Sequence, residues 1–282
     1  MSAVLYRGLF DDAALFPPGN APMGEALPAH RAHRAGPRAE YVGPFLVSDA
    51  RVCELRAVLA REEGAYDPLA VVVTVPGGAD GVAPAVESVL ADPALRLAGV
   101  EAAAEPGAVA AVAERLHAHL PEGAEGFVEV SRRGDVRADL EALGGTGHSA
   151  KFRTGGLTHE AHPGEEELAA FLHTVVELEM PFKCTAGLHH AVRHTTSEGF
   201  EQHGFLNVLL ATAALLDGAT GREAAHVLAD RDGPRLATLA AKLTDAESGQ
   251  ARRRFRSFGT CSVTEPLEDL VVLGALPASR TR

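Results

Sequence analysis

Lysine is almost missing from this chain. Of its 26 basic residues only Lys151, Lys183 and Lys242 are lysine, and the other 23 are arginine. A guanidinium stays protonated, whereas an amine can lose its proton and attack a carbonyl, so the positions that kept lysine draw attention. Cysteine is scarce too: Cys53, Cys184 and Cys261 are far apart and odd in number. That excludes a disulfide framework or a cysteine-based zinc motif, and a reducing cytoplasm is the expected setting. Positive charge is short overall, with a net charge of −12. A uniform nucleic-acid-binding face is thereby excluded, because phosphate affinity needs clustered Lys and Arg. No long hydrophobic run is present. The most apolar stretch, Phe205–Leu216, is interrupted by Asn207 and Thr212 and falls short of the roughly 20 residues that span a bilayer. The first ten residues lack a basic region followed by an apolar signal core, so no export signal and no membrane partner are expected.

What is there is ample apolar material in a regular rhythm. The chain has 282 residues, 46% of them hydrophobic, enough for a (β/α)8 barrel of roughly 250 residues. Short apolar stretches at residues 4–10, 41–47, 69–75, 97–103, 126–130, 149–153, 181–185 and 256–261 read as strands. Between them lie amphipathic or Ala-rich segments such as 50–62, 82–90, 108–119 and 165–178. The last of these is marked by Pro163 near its start and by Glu165, Glu166 and Glu167 in its first turn, where the helix dipole favours acids. Repeated strand–helix units imply a parallel sheet, and eight of them favour closure into a TIM barrel over an open doubly wound sheet. The rhythm breaks once. Some 70 residues separate the seventh and eighth strands, with helix-like stretches at 205–216, 221–229 and 234–243. The expectation is therefore one domain over 1–282, with a helical insertion at 188–250 covering the barrel mouth, where active sites of this fold lie.

Side chains alternate between the faces of a strand. In the sixth strand Lys151 and Arg153 share one face and Phe152 takes the other. In the seventh, Lys183 and Thr185 share a face opposite Phe182 and Cys184. If the phenylalanines pack outward against helices, both lysines point into the barrel on adjacent strands. Two ammonium groups side by side disfavour each other's charge, so a lowered amine pKa is expected. A neutral amine there would form a Schiff base with a ketone or aldehyde.

The segments Ala150-Lys151-Phe152-Arg153-Thr154-Gly155-Gly156 and Pro181-Phe182-Lys183-Cys184-Thr185-Ala186-Gly187 resemble the lysine-bearing sixth and seventh strands of class I (Schiff-base) aldolases of the deoxyribose-phosphate aldolase type. The stretch Ser257-Phe258-Gly259-Thr260-Cys261-Ser262 is similar to that family's small-residue turn after the eighth strand. The resemblance covers short motifs within residues 148–187 and 255–275. It implies a lyase of the aldolase kind, with Lys151 as the Schiff-base nucleophile, Lys183 as its modulator, and no cofactor. Two departures stand out: the family's usual Gly-Gly after the seventh strand is here Gly187-Leu188-His189-His190, and the long insertion that follows is foreign to it.

Further candidates sit at strand ends. Glu101, and after it Glu129, are placed to relay protons in carbinolamine chemistry, or simply to neutralise Lys151 or Arg153. Arg153 offers a planar fork for a substrate carboxylate or phosphate. Asp11 and Asp12 after the first strand, Thr185 and Gly187 after the seventh, and Gly259, Thr260 and Ser262 after the eighth complete the expected substrate-binding set. Ser262 with Glu265 also spells a capping box. Phe16-Pro17-Pro18-Gly19-Asn20 reads as a stiff loop at the mouth. His190 is the expected acid–base residue of the insertion. The alternative is a metal-dependent, hydrolase-like barrel using His189, His190, His194 and Asp11 or Asp12; with no His-Glu-x-x-His spacing, metal is not expected. The expected partner is a small anionic ketone or aldehyde, and the composition leaves room for a homo-oligomer.

Overall fold

A computed structural model describes residues 3–62 and 66–278. The ends and residues 63–65 of the expected single domain lie outside the described residues. The chain opens with a 3-10 turn, Ala3–Leu5, and reaches strand β1, Phe10–Asp12. The first strand thus lies later than the apolar pattern at 4–10 suggests: Leu5, Tyr6 and Leu9 are buried as core side chains ahead of it, so burial rather than extended pairing explains their character. Strands β2 (Val42–Ser48), β3 (Leu69–Val75), β4 (Leu95–Ala103), β5 (Glu125–Glu129), β6 (Ser149–Arg153) and β7 (Phe182–Thr185) follow within two residues of their expected positions. A two-stranded ribbon, β8 (His194–Thr195) and β9 (Glu201–Gln202), precedes the last barrel strand, β10 (Phe255–Thr260).

All eight barrel strands are parallel and the sheet closes, β1 pairing with both β2 and β10. The fold is a (β/α)8 TIM barrel; an open doubly wound sheet would leave β1 and β10 apart. Helices α1 (Met23–Ala35), α2 (Val52–Leu59), α3 (Ala79–Leu90), α4 (Val109–His119), α5 (Val136–Leu143) and α6 (Glu165–Glu177) connect successive strands. The main core lies between this ring and the outward faces of the strands. Phe152 stacks on Phe171 of α6, its ring centroid 4.2 Å away, and Phe182 stacks on Phe255 at 5.1 Å. With those phenylalanines turned outward, alternation turns Lys151 and Lys183 inward, paired in register across β6 and β7.

The long connection carries α7 (Phe205–Leu216), α8 (Gly221–Ala229), α9 (Gly233–Lys242) and α10 (Asp245–Arg254) before β10, and α11 (Thr264–Val272) closes the ring. These helices do not roof the mouth, which corrects the expectation for 188–250. Phe205 of α7 stacks on Phe258 at 5.3 Å and meets Phe10 edge-on at 5.5 Å, both on the outside of the barrel. Helix α7 is apolar nearly all round because it is buried on both sides, against the barrel and against its neighbouring helices. Only the stretch before α7, with its β8–β9 ribbon, borders the mouth.

Candidate active site

The site grows from which residues the strands point inward. From β4, Glu101 enters the barrel with no exposed surface on its side chain. A register shift in the β3–β4 pairing, between Val71 and Val72, allows Ala98 and Glu101 both to face the interior although they differ by an odd number of residues. From β5 comes Glu129, from β6 Lys151 and Arg153, from β7 Lys183, from β1 Asp11 and from β10 Ser257.

These groups form one continuous chain of ion pairs. Lys151 Nζ lies 2.6 Å from Glu129 Oε2 and 2.7 Å from Glu101 Oε2. Glu101 Oε1 turns the other way and contacts Lys183 Nζ. Lys183 in turn donates to Asp11 Oδ2 at 2.6 Å, and Ser257 Oγ donates to the same oxygen at 2.6 Å. Lys183 Nζ also stands 5.0 Å above the Phe127 ring. At the outer end Arg153 Nε donates to Glu129 Oε1 at 3.0 Å. Gly43 on β2 makes room for this arrangement, since a Cβ there would sit 2.0 Å from Asp11 Oδ1.

The electrostatics correct the expected depression of the lysines. Burial by itself would lower the Lys151 amine, but Glu101 and Glu129 outweigh it and hold the group above its ordinary value. Burial works the same way on Lys183, and Asp11 and Glu101 push it higher still. Each ammonium has carboxylate oxygens at hydrogen-bond distance, and these closer contacts outweigh the repulsion between the two amines. Glu101 is the counterpart: burial would raise it, yet the two ammonium groups hold it down at about 2. Glu129 is also lowered, by Lys151 and Arg153 against its burial. Asp11 alone goes up, because burial outweighs the help of Lys183 and Ser257.

Above this chain, at the C-terminal ends of the strands, opens a cleft of about 1100 Å³. Lys151, Glu101, Glu129, Arg153, Thr185, Gly187, His189, His190, His194 and Gly259 all border it. The structure therefore brings most of the expected site residues together. Lys183 is fully buried below Lys151 and does not border the cleft. Asp11 lies at the other end, against a smaller cavity of about 280 Å³ at the N-terminal ends of the strands, shared with Arg252, Arg256 and Ser257. Asp11 is thus a partner of Lys183 and not a mouth residue. Asp12 is outside altogether: its carboxylate points outward to His30 of α1, 3.0 Å away. Alternation along β1 explains the split, since adjacent residues face opposite ways.

Thr260 and Ser262 do not border the cleft either. Thr260 Oγ1 donates to the Ser262 carbonyl at 2.9 Å and so braces the turn. Ser262 Oγ accepts from Glu265 N at 3.3 Å, which is half of the expected capping box. The Glu265 carboxylate is drawn instead to His189 Nδ1 at 3.3 Å. The loops after β6 and β7 touch through glycines: a Cβ on Gly155 would stand 2.8 Å from Gly187 Cα, and Gly187 has a φ of +75°. His190 Nδ1 lies 3.1 Å from Asp269 Oδ2, which raises its pKa against the effect of burial, whereas burial lowers His189 and His194. The residues of the metal alternative are dispersed between rim, floor and outer face. Among the described residues no group of three or more His, Cys, Asp or Glu side chains is arranged to hold a metal ion.

Sequence reasoning missed Ser257 as a partner of Asp11, Phe127 beneath Lys183, and Asp269 behind His190. Strand parity alone marks Ser257, which lies two residues from Gly259; Asp269 gives no local signal, because its meeting with His190 spans 79 residues.

Among the described residues no helix is long and apolar enough to cross a membrane. No family model matches the chain, and no curated protein matches it. Among solved structures, a 7,8-dihydropteroate synthase from Vibrio fischeri ES114 is similar with a TM-score of 0.44 and 12% sequence identity, over 96% of this chain and 93% of that one.

Proposed function

We propose that this barrel is a Schiff-base enzyme of the lyase or aldolase kind, in which Lys151 condenses with the carbonyl group of an aldehyde or ketone. The observation that carries the reading is the position of Lys151: of the three lysines it alone borders the cleft, between two carboxylates within 2.7 Å. Lys183 is sealed beneath it, and Lys242 is exposed on α9, in the outer ring.

The resting amine is protonated, so catalysis begins with its proton moving to Glu129, 2.6 Å away. That transfer replaces an ion pair by two neutral groups, which the burial of Lys151 favours. The free amine adds to the carbonyl carbon. The carboxylic acid returns the proton to the carbonyl oxygen, takes a second proton from nitrogen, and delivers it to the hydroxyl, which leaves as water. Both protons that join the oxygen come from the Lys151 nitrogen, and the positive charge remains on the iminium. That charge withdraws electrons from the adjacent carbon–carbon or carbon–hydrogen bond. Lys183 acts through Glu101, fixing that carboxylate as an anion. Arg153 is placed to meet an anionic group of the substrate in competition with Glu129, and His190 with Asp269 supplies an acid–base group at the rim.

A second reading rests on one observation, the two carboxylates within 2.7 Å of Lys151, which favour its charged form: a charged ammonium would stabilise an enolate or oxyanion without covalent bonding. Reductive trapping separates the two. The protein is incubated with propanal or glyoxylate and cyanoborohydride at pH 7, and the adduct is located by peptide mass, with Lys242 as the reference for an ordinary exposed amine. Modification of Lys151 ahead of Lys242, lost in Lys151→Ala, is the expected result. Modification confined to Lys242 would sink the Schiff-base reading and leave the second one standing.

A further inference from the structure

The cleft is at the upper end of the range for small-molecule sites, and its two sides differ in chemistry. Charge is gathered on the β4–β7 side. On the β1–β3 side the lining is mainly apolar, with Phe16, Pro17, Pro18, Leu46 and Pro76, and only Ser48 and Thr74 are polar there. Within the barrel, Ala13, Leu46 and Val72 form a hydrophobic cluster separate from the main core, with Phe16 packed against it. This apolar surface thus starts in the barrel interior and runs out to the rim. Across the opening stand Phe200, stacked on His162 at 4.8 Å, and Leu157, whose side chain is 74% exposed. An apolar side chain left in water at the edge of a cleft lined by others gains by meeting an apolar ligand.

The cations of the mouth are meanwhile already engaged. Arg153 is paired with Glu129 and His190 with Asp269, while burial of His189 disfavours its charged form. A phosphate dianion would have to compete with both of these carboxylates, whereas an apolar group only needs to displace water.

Resting on the Schiff-base reading of Lys151, we infer that the substrate is a carbonyl compound with an extended aliphatic or aromatic body, lying against Leu46, Phe16 and Pro17 and covered from across the opening by Leu157, and not a short sugar phosphate. A methylene that leaves water for such a wall strengthens binding by up to about fourfold. The test is the rate of reductive trapping on Lys151, mapped by peptide mass, for propanal, hexanal, octanal and glyceraldehyde 3-phosphate at equal concentration. The rate is expected to rise at least tenfold from propanal to octanal relative to Lys242, with the phosphorylated aldehyde below octanal. In Leu157→Ser, an exposed position whose replacement leaves the core intact, the gain from propanal to octanal shrinks. A flat series, or fastest trapping by glyceraldehyde 3-phosphate, overturns the inference while the Schiff base stands. No adduct on Lys151 with any aldehyde removes the Schiff-base reading, and this inference falls with it.

Discussion

The two halves of the barrel interior solve the same packing problem in opposite ways. On the β1–β3 side the interior is filled by Leu46, Val72 and Ala13, with Ala98 beside them. On the β4–β7 side it is filled by Glu101, Glu129, Lys151 and Lys183, with Asp11 reaching across from β1. The first half gains from removing apolar surface from water and tolerates small errors in position. The second must remove charged groups from water, which costs several kcal/mol per ion and is recovered only if every charge keeps its partners. An apolar filling would have been sufficient for a barrel, as the first half shows. The charged half therefore speaks for chemistry, and the boundary between the halves runs through the floor of the cleft.

The comparison breaks most visibly at Lys183. Lys183→Met removes the ammonium shared by Asp11 and Glu101 and leaves two buried carboxylates facing each other. The expected loss is about 3–5 kcal/mol in urea unfolding at pH 7. The pH profile sharpens this. A lysine held above its ordinary value contributes stability that is complete below about pH 10.5 and is lost as pH rises towards its folded value. Glu101, at about 2 instead of its ordinary 4.5, contributes stability that is complete above about 4.5 and is lost as pH falls towards 2. The wild type should thus weaken on both sides of that window, and Lys183→Met should show smaller alkaline and acid limbs. An unchanged profile in the variant would contradict the charge network.

On the apolar side, Leu46→Ala leaves a cavity but no orphaned charge. A loss of about 2–4 kcal/mol is expected, with pH limbs like those of the wild type. A pH dependence altered as much as in Lys183→Met would show that the two halves are not separate. The smallest effect belongs to Arg153→Gln. Its side chain is 45% exposed, so water screens its pair with Glu129, and the stability change should stay below about 1 kcal/mol. Trapping of glyoxylate should nevertheless slow more than trapping of propanal, since only the former carries a carboxylate for the guanidinium to meet.

Much of this was legible locally. The periods of two and 3.6 residues, repeated, are enough to specify strands, helices and their alternation, and eight repeats of that unit close on themselves for reasons of sheet twist. Parity within β6 and β7 put Phe152 and Phe182 outside and Lys151 and Lys183 inside, because strand geometry admits just two faces. The same parity, applied to Asp11 and Asp12, could say that they part ways but not which one enters the barrel; closure of β1 between β2 and β10 decided that. Nor could spacing place α7 outside the barrel, since a long apolar helix fits a roof or a wall equally well until Phe10 and Phe258 offer it a surface. The charge state of the lysines was settled in space alone. Each amine's pKa depends on what stands within about 3 Å, and Glu101, 50 and 82 residues away along the chain, comes to stand between the two. Sequence determined which residues face inward; the tertiary structure decided which charges meet, because Coulomb energy is a function of distance through space and not along the chain.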